Sequence, residues 1–130
     1  MKRTYAGGCH CGDVKFEVEI DFEQTGVADC NCSICSKKGF LHAIVPPRQF
    51  RLLTSPDKLS TYTFNTGVAK HTFCARCGIH SFYTPRSHPD HIDVNVRCLE
   101  GVDLESIRID RFDGQNWERN VDTLRGGTST

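Results

Sequence analysis

The chain has 130 residues, 38% of them hydrophobic, which suits one domain with its own core and leaves little for a second. Sixteen Lys and Arg balance sixteen Asp and Glu, so the long-range field that draws a protein to a polyanion is missing and nucleic-acid partners are not expected. No apolar run is long enough to span a membrane, and the basic start at Met1-Lys2-Arg3 has no apolar segment behind it. The expectation is therefore a protein that is neither exported nor membrane-spanning, and hence cytoplasmic.

In chain order, Val14, Phe16, Val18 and Ile20 alternate with Lys15, Glu17 and Glu19, the period of a half-buried strand. Phe40 to Val45 is an apolar run stopped by Pro46-Pro47, and Phe50 and Leu52 alternate with Arg51 before a turn at Thr54-Ser55-Pro56-Asp57. Leu59 to Phe64 and Val68 to Phe73 flank Asn65-Thr66-Gly67 and predict a hairpin. Ile79 to Thr84 ends at Pro85, and Ile92, Val94 and Val96 alternate with Asp93, Asn95 and Arg97. Six or more strands are expected. Only Asp103 to Ser106 invites a helical turn, since no window holds a 3.6-residue apolar period for ten residues. The fold class expected is all-β.

Eight cysteines make up about 6% of the chain, below the level that marks a small disulfide scaffold. Disulfides rarely persist in a reducing compartment, so clustered cysteines point to metal. They fall as Cys9-His10-Cys11, Cys30-Asn31-Cys32-Ser33-Ile34-Cys35, Cys74-Ala75-Arg76-Cys77 and a lone Cys98. In an extended segment Cys9 and Cys11 face the same side, and Cys74-x-x-Cys77 followed by Gly78 suits a tight knuckle, so these four thiolates can close one tetrahedral zinc. Cys30, Cys32 and Cys35 remain as three. Four protein ligands make a structural zinc, whereas three leave an exchangeable position. Zinc with three thiolates carries a net negative charge and polarises water weakly, but it can hold an incoming thiol as a thiolate, the requirement for making or breaking a carbon–sulfur bond.

Other readings stand beside these. The 9/11/74/77 set could form redox disulfides. The 30/32/35 set could be a second structural zinc completed by Cys98, His42 or His71, or a redox loop. Cys98 reads as a small buried hydrophobe. His10 should point away from the metal, and His42, His71, His80, His88 and His91 show no paired ligand spacing, so each reads as structural or solvated. Arg86 and Arg97 could receive a carboxylate, with solvation the default. Tyr62, Phe64, Phe73, Phe82 and Tyr83 read as sheet core rather than a ligand platform.

The ordered pieces Gly8-Cys9-His10-Cys11-Gly12, Cys30-Asn31-Cys32-Ser33-Ile34-Cys35, His71-Thr72-Phe73-Cys74-Ala75-Arg76-Cys77-Gly78, Phe82-Tyr83-Thr84-Pro85-Arg86, Asn95-Val96-Arg97-Cys98-Leu99 and Phe112-Asp113-Gly114 resemble the family of glutathione-dependent formaldehyde-activating enzymes, which includes centromere protein V. The resemblance implies an Mss4-like β-tent of short antiparallel sheets stapled by two zinc ions, one structural on Cys9, Cys11, Cys74 and Cys77 and one catalytic on Cys30, Cys32 and Cys35. It also implies a carbon–sulfur lyase joining glutathione, as co-substrate, to a small aldehyde such as formaldehyde. The alternative is a non-catalytic, zinc-stabilised binding or scaffold module of the centromere protein V type. One zinc-binding domain over residues 1–120 is expected, followed by a flexible tail at 121–130.

Overall fold

The strand alternation read from Val14 to Ile20 is carried out by β2 (Lys15–Ile20), whose Phe16, Val18 and Ile20 are buried. In the computed structural model, which describes residues 2–113, β2 is the middle of a three-stranded sheet between β1 (Arg3–Gly8) and β5 (Phe50–Leu52), antiparallel to both. A second sheet has the order β10 (Ile109–Phe112), β3 (Val27–Cys30), β4 (Leu41–Val45), β9 (Ile92–Asn95), β8 (Phe82–Tyr83). The third is the hairpin of β6 (Leu59–Tyr62) and β7 (His71–Cys74). The architecture is mostly β, in small sheets, as expected. The β10–β3 pair is parallel, an exception to the expected antiparallel pairing. The expected boundary at residue 120 and the tail at 121–130 lie outside the described residues.

Period-2 alternation gives the five-stranded sheet two unlike faces. Val27, Leu41, Ala43, Val45, Phe82 and Val94 form one, packed into the core against Phe16, Val18 and Ile20. Phe16, Phe50 and Phe82 meet at centroid distances of 5.3, 5.8 and 4.7 Å and hold the two sheets together. The other face carries Ala28 and Cys30 of β3, His42 of β4, Asp93 and Asn95 of β9 and Tyr83 of β8, by the registers Ala28↔His42, His42↔Asn95 and Tyr83↔Asp93. A sheet face turned to water is polar and exposed. Here His42, Tyr83, Asp93 and Asn95 are polar and buried, so this face belongs to a site.

Two short helices break the expectation of a single helical turn. One, α1 (Phe22–Thr25), is capped by the Asp21 carboxylate accepting from Glu23 N–H. The other, α2 (Ser33–Lys38), begins inside the cysteine motif read as a loop and ends at Gly39, whose left-handed φ of 66° turns the chain back into β4. At six residues, α2 is too short to show an apolar period. Asp103 to Ser106 forms a hydrogen-bonded turn, Ser106 N–H to Asp103 O at 3.0 Å. No helix among the described residues is long and apolar enough to cross a membrane.

Candidate functional site

The four thiols of Cys9, Cys11, Cys74 and Cys77 lie within 4.8 Å of one another, although 63 residues separate Cys11 from Cys74. Cys9 and Cys11 converge through a bend rather than the extended segment expected, with Val14 N–H donating to Cys9 Sγ at 3.3 Å. On the other arm, Arg76 and Cys77 N–H groups both donate to Cys74 Sγ at 3.4 Å. The Cys77 N–H in particular, working against burial and aided by that of Arg76, holds the Cys74 thiol below its ordinary value. Gly78, at φ 80°, closes the knuckle, and its N–H returns to Cys74 O at 2.9 Å. The sulfur separations of 3.7 Å for Cys9–Cys11 and 3.6 Å for Cys11–Cys74 match the ~3.8 Å edge of a tetrahedron with metal–sulfur bonds of about 2.3 Å. The set fits a four-thiolate metal centre. His10 is exposed and outside it, as expected.

Cys30, Cys32 and Cys35 also bring their sulfurs within 4.8 Å of one another. Cys30 ends β3, and Cys32 caps α2, its sulfur accepting from Cys35 N–H at 3.3 Å. That cap places the third thiol one turn into the helix, on the same side as the first two. As thiols the three cannot all ionise. Hydrogen bonds from Cys30 and then Cys35 push the Cys32 thiol down to about 2, the bond to Cys32 raises Cys30 to about 11, and Cys35 is driven far up by the bonds to Cys30 and Cys32 and by burial. A cation among the sulfurs resolves this conflict, which is how the trio fits a metal ion. No further His, Cys, Asp or Glu joins it at ligand distance among the described residues, so neither His42, His71 nor Cys98 completes the trio. Cys98 sits half-buried with its thiol 3.8 Å from His80 O.

The trio lines a cavity of about 970 Å³ that the buried polar sheet face walls with His42, Tyr83 and Asp93. This is the upper end of the size of small-molecule sites. A second cavity of about 520 Å³ lies on the far side of α2, beside Lys37, Lys38 and His80. Neither cavity is lined by a cysteine of the tetrad. The hairpin supplies the opposite wall of the larger one. Phe64 stacks on His71 at 5.4 Å and His71 on Tyr83 at 4.7 Å, while Thr72 Oγ1 donates to Phe82 O to tie the hairpin to β8. The aromatic residues therefore divide, contrary to the sequence reading. Phe82 is core, Tyr62 and Phe64 are 52% and 41% exposed, and Phe64 and Tyr83 face the cavity. Four of the histidines read singly as structural or solvated, His42, His71, His88 and His91, are gathered around it, with Arg86. Arg97 instead donates to Gly39 O at 3.1 Å.

Lys38, which the sequence reading did not single out, ends the trio's helix. Its Nζ lies 4.3 Å from the centre of the Tyr83 ring, 4.6 Å from that of Phe40 and 3.2 Å from His71 Nδ1. Burial lowers its pKa, although the charges of Cys35, Asp93 and Cys32 favour the ammonium. The last turn of α2 therefore returns a positive charge to the site its first turn helps to build.

The described residues thus form a small β scaffold with one thiol tetrad and one thiol trio, each of a kind that could hold a metal ion, and the trio lines a cavity. Residues 4–111 match the family model described as glutathione-dependent formaldehyde-activating enzyme, and the chain belongs to that family. It is also similar to a crystal structure of a Rhodobacter sphaeroides protein, with a TM-score of 0.74 and 35% identity over 82% of this chain and 99% of that one.

Proposed function

We propose that the protein joins a thiol, glutathione, to a small aldehyde such as formaldehyde, or runs the same reaction in reverse, at a zinc ion held by Cys30, Cys32 and Cys35. A second zinc on Cys9, Cys11, Cys74 and Cys77 is structural. The observation that carries this reading is the trio's position on the cavity wall, with three sulfurs converging and no fourth side chain at ligand distance among the described residues. When bound there, zinc would supply an open position that favours the substrate thiol as its thiolate.

In the forward direction the thiol loses its proton, its sulfur forms a bond to the carbonyl carbon, and the carbonyl oxygen takes a proton to give the hydroxymethyl thioether. The chain's residues orient the parts. Cys32, as helix cap, fixes the sulfurs relative to the sheet. Lys38 offsets the negative charge of three thiolates and favours a second anion beside them. Phe64, His71 and Tyr83 form a stacked aromatic wall on the hairpin side of the cavity, against which a small aldehyde can lie. A scaffold module has no use for a buried polar sheet face beside an open thiol trio, so the alternative role gains no support from the site.

The test is carbon-13 NMR of labelled formaldehyde and glutathione with the zinc-loaded protein and with Cys32→Ala. The adduct is expected to form faster than the uncatalysed background with the wild type and at background with the variant. Wild-type protein that leaves the background rate unchanged overturns the reading.

A further inference from the structure

The proposed reaction needs a group that accepts a proton from the thiol and returns it to the aldehyde oxygen, and the polar face of the five-stranded sheet carries a buried His–Asp pair. His42 Nδ1 lies 2.6 Å from Asp93 Oδ2, although the two are 51 positions apart in sequence. They meet because β4 pairs with β9 in a register that sets Ile44 against Asp93, leaving His42 and Asp93 diagonal neighbours on one face. A carboxylate can only accept, so a hydrogen bond from the ring to Asp93 puts the hydrogen on Nδ1 and leaves Nε2 with a bare lone pair.

His42 is 7% exposed, and its Nε2 has no hydrogen-bond partner although it is fully buried. A buried acceptor left unmatched is costly and rare, and it calls for a functional reason. Neighbouring Asn95 shows the contrast. Its oxygen accepts from Leu41 and Arg97 N–H at 3.3 and 3.1 Å and its nitrogen donates to His80 O at 3.0 Å, so it is spent on structure. His42 is spent on one side only, and it lines the cavity with Cys30, Cys32 and Cys35.

We propose that His42 is the general base and acid of the site and that Asp93 is its positioning residue. Nε2 accepts the proton of the incoming thiol, the sulfur bonds to the aldehyde carbon, and the imidazolium returns the proton to the oxygen as the carbonyl π bond breaks. No proton is exchanged with solvent. Asp93 fixes the tautomer and stabilises the imidazolium between the two transfers. The charged and titratable groups around His42 are Asp93 on β9, Tyr83 on β8, whose hydroxyl is 3.5 Å from Nδ1, His71 on β7 and, over the Tyr83 ring, Lys38 on α2, while the β3 residue paired with His42 is Ala28. This assignment rests on the thiol–aldehyde reading above.

The experiment titrates glutathione into the zinc-loaded protein by calorimetry in buffers of different ionisation enthalpy, counting protons released per thiol bound. The wild type is expected to release none, because His42 keeps the proton. His42→Asn, which retains an N–H for Asp93, is expected to release one and to form adduct about 100-fold more slowly, with zinc content unchanged. Should that variant lose zinc or unfold, Asp93→Asn decides. It keeps the hydrogen bond but not the charge, and is expected to release a proton and slow the rate about tenfold. A wild type that releases one proton, or a zinc-loaded variant that releases none, overturns the assignment. If the wild type neither binds glutathione nor speeds the adduct, the parent reading fails, and the dyad's role fails with it.

Discussion

His71 and Tyr83 lie face to face, with ring centroids 4.7 Å apart and 16° between their planes, and this stack joins the β6–β7 hairpin to the five-stranded sheet. Burial first, and then the Lys38 charge 3.2 Å away, pushes the His71 imidazole down to about 4. In the unfolded chain it titrates near its ordinary 6.5. Below that value the unfolded state binds a proton the folded state refuses, so this contribution to stability is full above pH 6.5, falls as the pH drops, and levels off below 4. Between pH 7 and pH 5, His71→Phe is expected to lose about 1 kcal/mol less than the wild type, a figure discounted for the ring's partial solvent screening. Urea unfolding of both proteins at the two pH values measures it; an equal loss in both contradicts it.

The two thiol sets should separate by what their loss does to the fold. Cys74 is fully buried and belongs to the core cluster, whereas the trio opens on a cavity. Cys74→Ser is expected to lose the cooperative thermal transition, since a structural zinc can contribute about 10–16 kcal/mol, as much as a whole domain's stability. Cys32→Ser is expected to keep the fold and lose one equivalent of metal. Circular dichroism and metal analysis by mass spectrometry distinguish the cases.

Gly78 closes the knuckle at φ 80°, and a Cβ there would meet nothing within 4 Å. The cost of Gly78→Ala is therefore backbone strain alone. It is expected to lower stability by about 1–2 kcal/mol with metal content unchanged, read from denaturant unfolding and zinc analysis.

Lys38→Met keeps the stem that packs on Phe40 and Tyr83 and removes only the charge. It is expected to retain both metal equivalents and to lower the adduct rate about tenfold, the effect of one partly screened charge near three thiolates. Stopped-flow rates with matched zinc content check it.

The strands with strict alternation, such as Lys15–Ile20 and Ile92–Asn95, were legible because one residue in two meets the core. The thiol sets were legible because the spacing of cysteines that can share one ion follows from coordination geometry. Helix α2 was not, since six residues hold less than two turns and its start coincides with Cys32 acting as a cap. The His42–Asp93 pair was hidden for a different reason. It depends on a register between strands far apart in sequence, and nothing local in Phe40 to Val45 or Ile92 to Val96 fixes that pairing. The available signal was His42 inside an otherwise apolar run, a polar residue at a position its neighbours bury. The β8–β9 register likewise brings Tyr83 to this face, where His71 of the hairpin stacks on it to form a wall that neither residue, read alone, suggested.

X-ray absorption at the zinc edge, on fully loaded protein before and after glutathione, tests the central claim most directly. Four sulfurs at one site and three at the other predict about 3.5 sulfur ligands per zinc on average, rising to about 4 when the thiol enters. A value of about 4 before glutathione, or no change on adding it, contradicts the account.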